Sequence, residues 1–234
     1  MREILREGLA AMGIAPPEGA VDLMARYGDL LMEKNAVTNL TAIRDRDGAA
    51  RLHFLDSAAL LTVAELPSGR MLDVGSGPGF PGVPLRILRP DIRLTTIDSV
   101  GKKVDFVREA CGALGLTDVE CLWGRVEELP SLRERFAAVV SRAVAELDVL
   151  AELCLPQVEP GGLFIAMKGP DCEAECEKAM FAVKAMGGRL RAIERYVIPG
   201  TDVTHAAVIV EKVKPTPPKY PRRYAQIRKK PLRG

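Results

Sequence analysis

The chain has 234 residues, with 33 Lys and Arg against 31 Asp and Glu, and is 47% hydrophobic and 27% charged. That is the balance of an ordinary soluble globular protein, long enough for one large domain or for a core with an appendage. No apolar run approaches the roughly 18 residues that span a bilayer. The charged start Met1-Arg-Glu-Ile-Leu lacks the apolar centre of a signal peptide, and five scattered cysteines suit a reducing cytoplasm.

Residues 1–66 are expected to form a helical cap. Ile4, Leu5 and Leu9 share one face of a first helix that stops near Gly13 and the Pro16-Pro17 pair. Val21, Leu23, Met24, Tyr27, Leu30 and Leu31 recur at three and four, predicting a second helix that ends near Lys34. Asn35 to Thr41 is a polar interruption, with Thr41 or Asp47 as candidate caps for the next helix. Leu52, Leu55, Ala59 and Val63 make a further stripe over Ala49–Val63, with Arg51, His53 and Asp56 on its other faces.

Residues 67–211 alternate between strand and helix patterns. Met71, Leu72 and Val74 form a short apolar strand, broken by Gly75, Gly77, Gly79 and Gly82, after which Val83, Leu85, Ile87 and Leu88 take up a helical period. Further strands are predicted at Ile92–Ile97, Val119–Leu122, Phe136–Val140 and Gly161–Met167, with helices at Lys102–Leu114, Leu147–Leu155 and Cys172–Met186. Arg191–Ile198 and Thr204–Glu211, joined by Pro199-Gly200, read as an antiparallel closing hairpin. The alternation predicts an α/β, doubly wound, mostly parallel sheet with both faces covered.

Residues 212–234 carry nine Lys and Arg and no acid, leaving 24 basic against 31 acidic residues, a net of −7, in the first 211. With five prolines and little to bury, this segment reads as an extended basic tail that orders on a polyanion. Its removal is expected to weaken nucleic-acid binding and leave cofactor affinity in place.

In a doubly wound sheet, ligands sit beyond the carboxyl ends of the strands. Those ends here carry Asp73 with the glycine loop, Asp98-Ser99, Gly124-Arg125-Val126-Glu127, Ser141-Arg142 and Lys168-Gly169. Strand, bare glycine turn and helix N-terminus together admit a nucleotide-bearing cofactor close to the main chain. Two frames overlap in the loop. Gly77-Pro-Gly79-Phe-Pro-Gly82 fits G-x-G-x-x-G of nicotinamide-dependent oxidoreductases, whereas Asp73-Val-Gly75-Ser-Gly77-Pro-Gly79 fits D-x-G-x-G-x-G, which resembles the first motif of class I S-adenosylmethionine-dependent methyltransferases. Asp73 and the third alternate glycine favour the second frame. Asp98 ends its strand where a carboxylate accepts ribose hydroxyls, and Arg125-Val126-Glu127 falls where an adenine meets main-chain groups. After the fourth strand there is neither an (Asp/Asn)-Pro-Pro-(Tyr/Phe) motif nor a cysteine nucleophile, only Arg142. Guanine N7 has a free lone pair and no proton to lose, so methylating it needs alignment and no general base. Cys172-x-x-x-Cys176, with both of the chain's histidines far off in sequence, makes a poor metal site.

Asn39-Leu-Thr41 with Arg44, His53-x-x-Asp56-Ser57, Asp73 to Gly82, Asp98-Ser99-x-x-Lys102-Lys103, Arg125-Val126-Glu127, Ser141-Arg142-Ala143 and Lys168-Gly169 occur in that order. Together they resemble the RsmG (GidB) family of 16S ribosomal RNA 7-methylguanosine methyltransferases, over about Asn35 to Glu211. The resemblance implies a Rossmann-like class I methyltransferase core using S-adenosylmethionine. It also implies cofactor contacts at Gly75, Phe80, Ser99, Val126, Glu127 and Arg142, and RNA or substrate contacts near Arg44, His53, Lys102 and Lys168. On this reading the protein is a cytoplasmic monomer acting on 16S ribosomal RNA or the small ribosomal subunit, away from membranes. A methyltransferase with another acceptor, a nicotinamide-dependent oxidoreductase and a non-catalytic RNA-binding protein are the other readings.

Overall fold

A computed structural model describes residues 1–233. Seven strands form one sheet: β1 (Gly69–Val74), β2 (Ile92–Asp98), β3 (Val119–Trp123), β4 (Phe136–Arg142), β5 (Val158–Lys168), β6 (Gly188–Val197) and β7 (Thr204–Lys212). Their order is β3-β2-β1-β4-β5-β7-β6, parallel except for β7, which pairs antiparallel with both β5 and β6. The chain runs outward from β1 to β2 and β3, then returns to β4 on the other side. The switch of direction therefore lies between the carboxyl ends of β1 and β4, where such sheets open a crevice. Ser141 Oγ closes the base of that crevice by donating to the Val74 carbonyl at 2.9 Å.

Both sheet faces are covered, as the continuous apolar runs of β1, β4 and β5 require. One face carries α5 (Gly82–Leu88), α6 (Gly101–Ala113) and the N-terminal helices α1 (Arg2–Ala11), α2 (Ala20–Thr38), α3 (Arg46–Ala49) and α4 (Asp56–Val63). The other face carries α7 (Leu147–Cys154) and α8 (Glu173–Ala185). The cap helices have no core of their own; Leu5, Met24, Tyr27 and Phe54 belong to the same buried cluster as Phe80 and Phe106. Tyr27 makes edge-to-face contacts with Phe54, Phe80 and Phe106 at 6.2, 6.1 and 5.5 Å. Among the described residues no helix is long and apolar enough to cross a membrane.

Three departures from the sequence expectations shape the site. First, α2 continues to Thr38 and does not end at Lys34, because Asn35 serves the adjoining loop without breaking the helix. Its amide donates to the carbonyls of Thr41 and Ile43 and accepts from the amides of Leu40 and Thr41. Asp45, and not Thr41 or Asp47, caps the next helix through the Gly48 amide. Second, a π-helical segment at Ala50–Leu55 lies between α3 and α4.

Third, the basic C-terminal segment is not extended. It packs on the α7 face and ends in α9 (Tyr224–Lys229), whose Ile227 is fully buried in the second core cluster. Arg222 clasps the buried Glu152 with its backbone amide, Nε and a terminal nitrogen at 2.9, 2.8 and 2.6 Å. Arg233 Nε donates to Asp148 at 2.8 Å, and Arg133 holds the carbonyls of Thr216 and Tyr220. The physical reason is complementary charge: the body's excess of acid includes two buried carboxylates on α7 that need cations.

Candidate active site

A cleft of about 280 Å³ opens at the carboxyl ends of β1, β2 and β3, with Gly75, Asp98, Ser99, Glu127, Val144 and Tyr224 in its wall. Gly75 turns the chain out of β1 at φ +69°, and a Cβ there would stand 2.4 Å from the Val144 side chain. Only glycine allows that approach in the left-handed region. Gly79, at φ +92°, serves the cap: a Cβ would meet Tyr27 Oη at 2.5 Å. That hydroxyl donates to the Pro78 carbonyl at 3.0 Å, so a cap tyrosine clamps the loop from behind. Burial lifts its phenol well above the usual range, which keeps it a donor.

Asp98 lines the cleft, yet both its oxygens hold main chain: Oδ2 accepts from the Gly77 amide at 2.9 Å and Oδ1 from the Val100 amide at 2.8 Å. The expected ribose acceptor is thus also the brace between the two loops. Glu127 is the freer carboxylate. Its Oε1 is buried without a partner, and burial raises its carboxyl above the usual range. An orphaned acceptor beside Asp98 suits a ligand rich in hydroxyl and amino donors. Val126 is buried beneath it, and Arg125 and Ser99 stand at the exposed rim.

Several residues expected at the cofactor do other work. Asp73 is fully buried; Oδ2 accepts from the Gly82 amide at 2.8 Å, and burial pushes its carboxyl up to about 7. It fixes the start of α5 and does not line the cleft. The Phe80 side chain points into the aromatic core, stacked on His53 at 4.5 Å and 17°. Of the alternate glycines only Gly75 faces the cleft.

Arg142 sits at the seam between core and cap, next to the cleft-lining Ala143 and Val144. Its guanidinium donates to the Leu52 carbonyl at 3.1 Å, Asp56 Oδ2 at 2.8 Å and His53 Nδ1 at 3.0 Å, and lies 5.4 Å from the Phe80 ring centre. The π segment brings all three acceptors to one side. Because Arg142 donates to Nδ1, His53 carries its proton on Nε2 and donates it to Thr41 Oγ1 at 2.8 Å. Burial, and then the Arg142 charge, lower the imidazole to about 3, so it is neutral. His53, expected near the RNA or substrate, has a buried ring with both nitrogens engaged. Asp56 is buried as well, with Oδ1 accepting from Tyr196 Oη at 3.0 Å and paired with His205 Nδ1 at 2.8 Å. Burial alone would raise its carboxyl; the His205 hydrogen bond and the Arg142 charge hold it below the usual range.

The remaining expected substrate residues divide. Arg44 is exposed, on the loop that Asn35 organises, with a terminal nitrogen on Asn39 at 3.0 Å. Lys102 is exposed and its ammonium spans from α6 to the Thr38 carbonyl of the cap at 2.7 Å. Lys168 is half-buried and committed to Glu175 and the Ala145 carbonyl, so it secures α8 to the loop after β4 and does not face outward.

Residues 20–199 match the family described as GidB, rRNA small subunit methyltransferase G. A protein named ribosomal RNA small subunit methyltransferase G from Pelotomaculum thermopropionicum is 44% identical over 236 residues, covering 99% of each chain. Another of the same name, from Alkaliphilus metalliredigens, is 40% identical over 234 residues and 98% of each chain. The chain belongs to the rRNA small subunit methyltransferase G family. Among solved structures, a chain of the Haloferax volcanii complex between the Trm112 methyltransferase activator and a methyltransferase superposes with a TM-score of 0.58. It is 16% identical and covers 78% of this chain and 98% of that one, a likeness of fold.

Within this family the D-x-G-x-G-x-G frame is the one that applies, which displaces the nicotinamide reading. The group's cofactor, S-adenosylmethionine, fits the residues present: a bare turn at Gly75, the carboxylates of Asp98 and Glu127, and a cleft wall closed by Val144. Three contributors were not visible from the sequence. Asn35 and Tyr27 act through the cap, and Tyr224 reaches the cleft from the C-terminal segment. A tyrosine at helical spacing reads as core, and a proline-rich basic stretch reads as an extended tail; neither signals a wall of the cleft.

Proposed function

We propose that the chain transfers a methyl group from S-adenosylmethionine to N7 of a guanosine in 16S ribosomal RNA. Gly75, Asp98, Ser99, Val126 and Glu127 would hold the cofactor, with Arg142 at the boundary between cofactor and base. Bound there, S-adenosylmethionine supplies an electrophilic sulfonium methyl. The observation that carries the N7 reading is that the candidate bases at the seam are already engaged. His53 has both nitrogens in hydrogen bonds and is neutral; Asp56 is shared by Arg142, Tyr196 and His205. A reaction that removes no proton before attack is the one such a seam can serve, because N7 already exposes its lone pair.

The Arg142 guanidinium is held beside Phe80 by Leu52, His53 and Asp56, so its position is set before substrate arrives. Arg44 and Lys102, on the exposed rim where cap meets core, offer cations to phosphates on the approaching strand. The reading places the enzyme in the cytoplasm, as a monomer, on ribosomal RNA or the small subunit. Purified protein incubated with methyl-labelled S-adenosylmethionine and isolated ribosomal RNAs tests the acceptor: label in the 16S fraction is expected. Label confined to the 23S fraction, or to protein, would refute it.

A further inference from the structure

The C-terminal segment reaches the cleft at one residue. Tyr224, the first residue of α9, forms part of the cleft wall together with Gly75 and Asp98, and its ring lies under the Arg125 guanidinium, 4.7 Å from the ring centre. Glu127, whose Oε1 is buried without a partner, lines the same cleft. Three independent anchors fix this placement. Arg222, two residues earlier, is locked on the buried Glu152; Ile227, three residues later, is buried in the core; and Arg233 pairs with Asp148. Glu152 and Asp148 both lie on α7, whose Leu153 lines the same cleft.

We infer that Tyr224 is a cofactor-positioning residue, and that the segment after β7 is a structural wall of the cofactor site rather than a free basic arm. The inference deepens the proposed function and rests on its reading of the cleft as the S-adenosylmethionine site. A planar aromatic ring held rigid by a cation is suited to contact the planar adenine of a nucleoside. The unpartnered Glu127 oxygen in the same wall is left for a ligand. Tyr224 thereby acts through its ring on the ligand. This reverses the sequence expectation that cofactor affinity is indifferent to residues 212–234.

The test is calorimetric titration of the full chain with S-adenosylhomocysteine, for wild type, Tyr224→Phe, Tyr224→Leu and Gly75→Val. Tyr224→Leu is expected to bind about 3- to 10-fold more weakly, with the thermal midpoint of the ligand-free protein close to that of Tyr224→Phe. Tyr224→Phe keeps the ring and is expected to stay within about twofold of wild type. In turnover, the KM for S-adenosylmethionine rises in Tyr224→Leu while kcat holds. Wild-type affinity in Tyr224→Leu, with Gly75→Val abolishing binding, overturns the role of Tyr224 while leaving the cleft reading intact. If wild type does not bind, or Gly75→Val binds as wild type does, the cleft reading falls and the inference with it. Should Tyr224→Leu lose its fold, equal weakening in Tyr224→Phe would contradict the ring contact.

Discussion

His53 shows how a single side chain can be decided by its neighbours. Stacked on Phe80 and donated to by Arg142, it stays neutral down to about pH 3, against an ordinary value of 6.5. The unfolded chain takes up a proton below 6.5 that the folded imidazole refuses. Stability therefore falls as pH drops from 6.5 toward 3, by at most about 1.4 kcal/mol per pH unit. Urea midpoints measured over that window are expected to fall less steeply in His53→Gln than in wild type; equal slopes would mean the ring is not held neutral. Tyr27 gives a second residue-scale prediction. Tyr27→Phe loses only the bond to the Pro78 carbonyl, at about 1 kcal/mol, whereas Tyr27→Ala empties the aromatic cluster and costs about 3–5 kcal/mol, both readable by denaturant titration. The glycine loop was legible in the sequence because a bare turn can only be written in glycine. The inward turn of Asp73, Phe80 and His53 was not, since residue type does not say which way a side chain faces.

At the scale of elements, the strands and core helices arise from hydrophobic period, and their ends fall within a few residues of the pattern. What period cannot carry is a helix whose polar residue works outside it. Asn35 extends α2 and at the same time holds the loop bearing Arg44, so Asn35→Ala leaves buried main-chain groups without partners. A loss of about 2–3 kcal/mol is expected, together with faster hydrogen exchange at the Leu40 and Thr41 amides. The C-terminal segment, expected to be an extended tail, packs on α7 for a related reason: composition marks it as extended, but its partners are buried acids distant in sequence. Arg222→Ala strands the Glu152 carboxylate, which is fully buried, and is expected to cost about 3 kcal/mol; thermal denaturation at low and high salt would show a loss that salt barely alters.

For the whole molecule, the charge asymmetry of the chain is partly resolved internally. Arg222 and Arg233 of the basic segment neutralise α7, and Lys212 is buried among the Leu155 carbonyl, Thr216 and Glu134. Burial lowers that lysine to about 8. The cations that remain exposed include Arg44 and Lys102 on the cap–core rim, with Arg228 and Lys229 on α9 and Lys230 just beyond it. On the proposed reading, the doubly wound core supplies the cofactor cleft, the cap fixes Arg142 beside it, and the last segment closes the wall. The claim at the centre is that this seam serves a nucleophile needing no deprotonation. The direct measurement is nucleoside mass spectrometry of 16S ribosomal RNA methylated by the purified protein. The account predicts 7-methylguanosine at one position, lost in Arg142→Ala; methyl groups on an exocyclic amine, a carbon or a ribose hydroxyl would contradict it.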